Sequence, residues 1–117
     1  MTETLAGKSC VACRGDVSPL SRADAEKLRA QTPKWHLSAD AAQIERAFKF
    51  KNFKEALAFA NKVGEIAEAE GHHPDITFGW GYVSIALQTH KIRGLHENDF
   101  IVAAKVDKIA EAIGPAI

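Results

Sequence analysis

Ile76-Thr77-Phe78-Gly79-Trp80-Gly81-Tyr82-Val83-Ser84-Ile85-Ala86-Leu87-Gln88-Thr89-His90 decides the fold: two runs of strand-forming residues hinged at the glycines 79 and 81. Ile76 to Trp80 and Tyr82 to His90 read as the strands of a hairpin. In the second run Val83, Ile85, Leu87 and Thr89 share one face, while Ser84, Ala86, Gln88 and His90 share the other. Upstream, Phe53, Ala56, Leu57, Ala60, Val63 and Ala67 recur at helical spacing. Asn52 caps that helix with Glu55 placed to complete a capping box, and Gly71 stops it.

Further toward the N-terminus, Trp35 and Leu37 alternate with polar residues, Ser38-Ala39-Asp40 makes a turn, and Ile44, Arg46, Phe48 and Phe50 follow. This is a second hairpin, with strands near 34–38 and 43–50. Before it, Ser21 caps a helix in which Asp24 returns the bond and Leu20 staples against Ala25; Thr32-Pro33 ends it. Downstream, Gly94-Leu95 leads into a last helix from about Glu97 to Ile113, closed by Gly114-Pro115. The order is α-β-β-α-β-β-α. The expectation is an α+β fold: a single domain, residues 18–117, with a four-stranded antiparallel sheet and three helices on one face. Residues 1–17 lack apolar periodicity and read as a flexible arm, and deletion of residues 1–15 is expected to leave the fold and most activity intact.

Composition narrows the functions. With 117 residues there is room for one domain, and 46% hydrophobic residues supply a core. Fifteen basic residues balance fifteen acidic ones, so no field draws the chain to nucleic acid or a membrane. No apolar stretch reads as a signal peptide or a membrane span, which makes the cytoplasm the expected address. Cys10-Val-Ala-Cys13 has the spacing of half a zinc site, but no second close cysteine pair completes it.

The chemistry concentrates between residues 68 and 99. His72 and His73 leave the long helix together, Pro74 stiffens the exit, and Glu68 lies one turn earlier. His90 stands at a strand end and Asp99 opens the last helix. Imidazoles gathered at one cleft would donate and accept protons near neutral pH. Taken singly, these histidines are ordinary surface or hydrogen-bonded residues, and Trp80 and the phenylalanines are ordinary packing residues.

Their spacing changes that weighting. Glu68, three residues, His72-His73-Pro74, five residues, Trp80, nine residues, His90, eight residues and Asp99 form the pattern of the pterin-4a-carbinolamine dehydratases. The chain resembles that family from about Leu20 to Val106, including Trp35, Phe48 to Phe53, and Thr89-His90 with Gly94-Leu95. Two positions depart from it: Trp80 where tyrosine is common, and His96 where Ser or Thr usually caps the last helix. The resemblance implies a hydro-lyase that removes water from 4a-hydroxytetrahydropterin in tetrahydrobiopterin recycling, with no metal and no cofactor. It implies His73 as principal acid–base residue, with His72 and His90 sharing proton transfer. Glu68, Thr89 and Asp99 would position an imidazole or bind the pterin, and Pro74 and Trp80 would shape the pocket. It also implies a homodimer or homotetramer served by an aromatic amino-acid hydroxylase. The competing class is a binding protein on the same fold, since family members also act as transcription cofactors or as Rubisco assembly factors.

Overall fold

The computed structural model describes residues 4–11 and 15–113. Cys13 and the expected Gly114-Pro115 stop lie outside the described residues. Strands β1 (His36–Leu37), β2 (Ile44–Lys49), β3 (Asp75–Gly79) and β4 (Tyr82–Leu87) form one antiparallel sheet in the order β1-β2-β4-β3. Helices α1 (Arg22–Arg29), α2 (Phe53–Glu70) and α3 (Glu97–Ile113) complete the α+β architecture that the sequence predicts.

One face of the sheet is apolar because side chains alternate along each strand. Ile44, Phe48, Val83, Ile85 and Leu87 are buried, whereas Glu45, Ala47 and Lys49 on the opposite face are exposed. Ala56, Phe59, Ala60 and Val63 of α2, with Phe100, Val102, Ala103 and Val106 of α3, belong to the same core. Phe59 stacks at a tilt on Phe48 and Phe50, with ring centroids 4.7 and 5.1 Å away. Both expected N-caps form: Ser21 Oγ accepts from Asp24 N–H at 3.1 Å, and Asn52 Oδ1 accepts from Glu55 N–H at 2.9 Å.

The boundaries differ where tertiary bonds compete with local pattern. Helix α1 stops at Arg29, short of Thr32, because the N–H groups of Gln31 and Thr32 bond carbonyls three residues back. Strand β1 shrinks to a pair of residues, since Trp35 turns into the core and donates its indole N–H to Asp107 at 2.8 Å. Asp107 also receives Arg46 at 2.5 Å. Strand β4 ends at Leu87, three residues early, because Thr89 bridges to Gly94 and His90 opens a short 3-10 turn.

The expectation of a flexible arm also meets a different arrangement over residues 4–11. Leu5 is 4% exposed and joins the core, and this segment lies along α3. Lys8 pairs with Glu97 at 2.9 Å, and Lys105 Nζ donates to the carbonyl of Ala6 at 3.0 Å. Polar anchors and one apolar plug replace the periodicity that a sequence reading looks for.

Candidate active site

Two helix ends build the site. At the C-terminus of α2, Gly71 takes the left-handed conformation (φ 64°), which a Cβ would oppose. Its N–H bonds the Glu68 carbonyl at 3.4 Å, and the N–H of His72 bonds that of Ala67 at 3.2 Å. This is a Schellman closure, and it aims His72 back over the last turn. At the N-terminus of α3, His96 acts as the cap: its Nδ1 accepts from Asn98 N–H at 3.0 Å. Asp99 returns the bond, Oδ2 accepting from His96 N–H at 3.0 Å. An imidazole thus takes the part of the hydroxyl in a capping box.

Those two ends bring His72 and Asp99 together. His72 Nε2 lies 2.6 Å from Asp99 Oδ1, and the Thr89 hydroxyl donates to Asp99 Oδ2 at 2.8 Å. Asp99 is fully buried and His72 and Thr89 nearly so. A carboxylate out of water is costly unless its lone pairs are used, and here three donors use them. No buried side-chain nitrogen or oxygen among the described residues lacks a partner.

Around this fixed group the other candidates are freer. His73 turns to the surface, its Nε2 3.4 Å from Glu68 Oε2, with side chains 60% and 80% exposed. His90 is exposed and accepts at Nδ1 from the Gln88 amide at 3.2 Å. Pro74 is half-buried between His73 and the start of β3. Trp80 stands apart. It sits at the β3–β4 turn, 72% exposed, and the whole length of β3 separates it from His72 and His73. The structure therefore groups His72, Thr89 and Asp99, pairs His73 with Glu68, and leaves Trp80 outside the group.

A cleft of about 620 Å³ lies elsewhere, between residues 4–6, β2 and the C-terminal half of α3, and holds none of these residues. Among the described residues no cluster of His, Cys, Asp or Glu side chains is arranged to hold a metal. None forms a helix long and apolar enough to cross a membrane. Cys10 is half-buried, and its thiol is pushed up to about 12, first by burial and then by the charge of Glu70. Sequence reasoning missed the capping role of His96 and the part played by Asn98, described below. The spacing His96-x-x-Asp99 was the available signal for the first.

Residues 18–109 match the family described as Pterin 4 alpha carbinolamine dehydratase. A protein of Methylococcus capsulatus that provisionally bears the name pterin-4-alpha-carbinolamine dehydratase is 57% identical, over 92% of this chain and 94% of its own. One of Aromatoleum aromaticum with the same provisional name is 54% identical, over 94% and 98%. Among solved structures, a transcriptional coactivator/pterin dehydratase from Brucella melitensis superposes with a TM-score of 0.74 at 29% identity, covering 80% of this chain and 99% of that one. A pterin dehydratase-like protein described as a RuBisCO assembly factor of the alpha-carboxysome gives 0.58 at 27% identity, covering 71% and 93%.

Proposed function

The chain belongs to the pterin 4 alpha carbinolamine dehydratase family, and from that premise we propose that it removes water from 4a-hydroxytetrahydropterin by histidine acid–base catalysis, as a step of tetrahydrobiopterin recycling. The observation that carries the reading is the His72–Asp99 pair at 2.6 Å beside the solvent-facing His73–Glu68 pair. Dehydration moves two protons: one to the departing 4a-hydroxyl, which leaves as water, and one away from ring nitrogen N5, giving the quinonoid dihydropterin. No electron is gained or lost overall.

Division of labour follows from exposure. Asp99 occupies Nε2 of His72, so His72 offers a substrate only its Nδ1 edge, in a fixed orientation. His73 faces water with Glu68 beside it, which suits the principal acid–base group. His90, following Thr89 on the same loop, shares the proton traffic. Glu68, Thr89 and Asp99 hold these imidazoles and the pterin, and Pro74 limits the floor of the site. Trp80 reaches this site only if another copy supplies it.

A homodimer or homotetramer is part of the proposal. Among the described residues β3 pairs on its β4 side alone, and the exposed rings of Phe53 and Phe78 stack 5.7 Å apart beside it. Light scattering at micromolar concentration is expected to give at least twice the chain mass. The proposed supplier of substrate is an aromatic amino-acid hydroxylase, and the proposed compartment the cytoplasm.

The names of both structural neighbours favour a second reading, a binding or assembly protein on the same fold. One assay separates the two: dehydration of freshly generated 4a-hydroxytetrahydropterin, with the uncatalysed rate subtracted at each pH. The dehydratase reading expects a catalysed excess proportional to protein concentration. A rate equal to background at all pH values hands the case to the binding protein.

A further inference from the structure

Residues 4–11 touch both helix ends that build the site. Cys10 N–H donates to Glu70 Oε1 at 2.7 Å, and Glu70 lies two residues before His72. One residue further along, Asn98, the neighbour of Asp99, grips Val11 with both atoms of its amide: Oδ1 accepts from Val11 N–H at 3.1 Å, and Nδ2 donates to the Val11 carbonyl at 2.7 Å. The Cys10 thiol adds a contact of 3.6 Å to the Asn98 carbonyl. Asn98 is 1% exposed, so its amide has no water to replace these partners.

We propose that residues 5–11 form a strap that positions the dehydratase site, with Asn98 and Glu70 as positioning residues that set the separation of the two backbone segments carrying His72 and Asp99. The proposal rests on the dehydratase reading for its kinetic arm only. Without the strap, the end of α2 is joined to α3 here by the His72–Asp99 bond and, further along α3, by Lys105, whose ammonium lies 3.6 Å from Glu70. With it, a second span runs parallel to that bond, from Glu70 through Cys10 and Val11 to Asn98. The electrostatics agree: the Glu70 carboxyl is held below its ordinary value, first by the Cys10 N–H and with help from Lys105. The family match begins at residue 18, so the strap lies outside the matched region.

A positioning strap and a merely stabilising one separate in a single set of measurements on the full-length chain. Glu70→Ala and Asn98→Ala cut the span at either end; Glu70→Gln keeps an acceptor for Cys10 N–H. Each is assayed for melting temperature, for kcat and KM on 4a-hydroxytetrahydropterin, and for the ¹⁵N and ¹H resonances of the His72 ring. We expect kcat to fall about tenfold in the alanine variants, since small misplacements of an acid–base group are costly. KM should stay within about twofold, the His72 ring signals should shift, and Glu70→Gln should restore most of both. A lowered melting temperature with kcat and the His72 signals unchanged overturns the proposal. Should Asn98→Ala fail to fold, Glu70→Ala, at a partly buried position whose side chain is 14% exposed, decides alone. If the wild-type chain shows no catalysed dehydration, the functional reading fails. The strap is then judged by the ring resonances, which need no substrate: a shift supports it, and none overturns it.

Discussion

Asp99 carries three hydrogen bonds and no water-facing surface, whereas His73 has most of its side chain in water. Substitutions at the two histidines should therefore divide stability from turnover. His73→Ala is expected to leave stability nearly unchanged, within about 0.5 kcal/mol, and to lower catalysed turnover about a hundredfold or more. His72→Ala removes the partner of a buried carboxylate and should cost about 1–3 kcal/mol, with a smaller loss of turnover; His90→Ala should lose less than His73→Ala as well. Circular dichroism must show each variant folded. Full catalysed rates in both His73→Ala and the His72/His73/His90 triple variant would remove the imidazoles as catalysts. Cys10 gives a prediction of a different kind. Burial and the Glu70 charge raise its thiol, so the folded chain keeps the proton after the unfolded chain has lost it. Stability from this group is complete below pH 9.0 and declines as pH rises toward about 12. At pH 8 the thiol should resist iodoacetamide in the native protein and react once denatured, as read by peptide mapping. Residue types and spacing gave the candidate set in advance. What spacing could not give was which imidazole would be buried, because that depends on two helix ends meeting.

At the scale of elements, α2 does most to place the chemistry, and its final turn is the sensitive part. A Cβ built on Gly71 meets no atom within 4 Å, so substitution there tests backbone conformation alone. Gly71→Ala should destabilise the fold by about 1–2 kcal/mol in urea titration and lower turnover, since His72 belongs to the same closure. A neutral result would mean that α2 ends equally well without the left-handed residue. Helix α2 was legible because capping, periodicity and stop signal agree over eighteen residues. Strand β1 was not. Trp35 alternates correctly for a strand, yet a bond to Asp107, seventy-two residues away, takes it out of one. The last turn of the expected α1 and the last residues of β4 were lost to competing bonds of the same kind. The strap escaped notice because a single buried leucine has no period.

For the whole molecule, the sheet order makes a sequence-distant pair the central one. Strands β2 and β4 align Ile44 with Leu87 and Lys49 with Tyr82, and the chain between them includes all of α2. Each outer strand pairs instead with its neighbour in sequence. The consequence lies in the order of folding events. Hairpins and α2 can form from local contacts within microseconds, but the core exists only after the β2–β4 loop closes, and that entropy is lost before any contact rewards it. Folding should therefore be a single exponential in the range of about milliseconds to seconds, with Val83→Ala slowing it. The strap comes later still: Lys8 meets Glu97 across eighty-nine residues, on a surface that closure has to create first. Leu5→Ala should accordingly leave the folding limb of the chevron in place and raise the unfolding limb; a slowed folding limb would mean that the strap docks early. A latch set after closure governs how long the native state lasts and leaves its rate of formation to the strands.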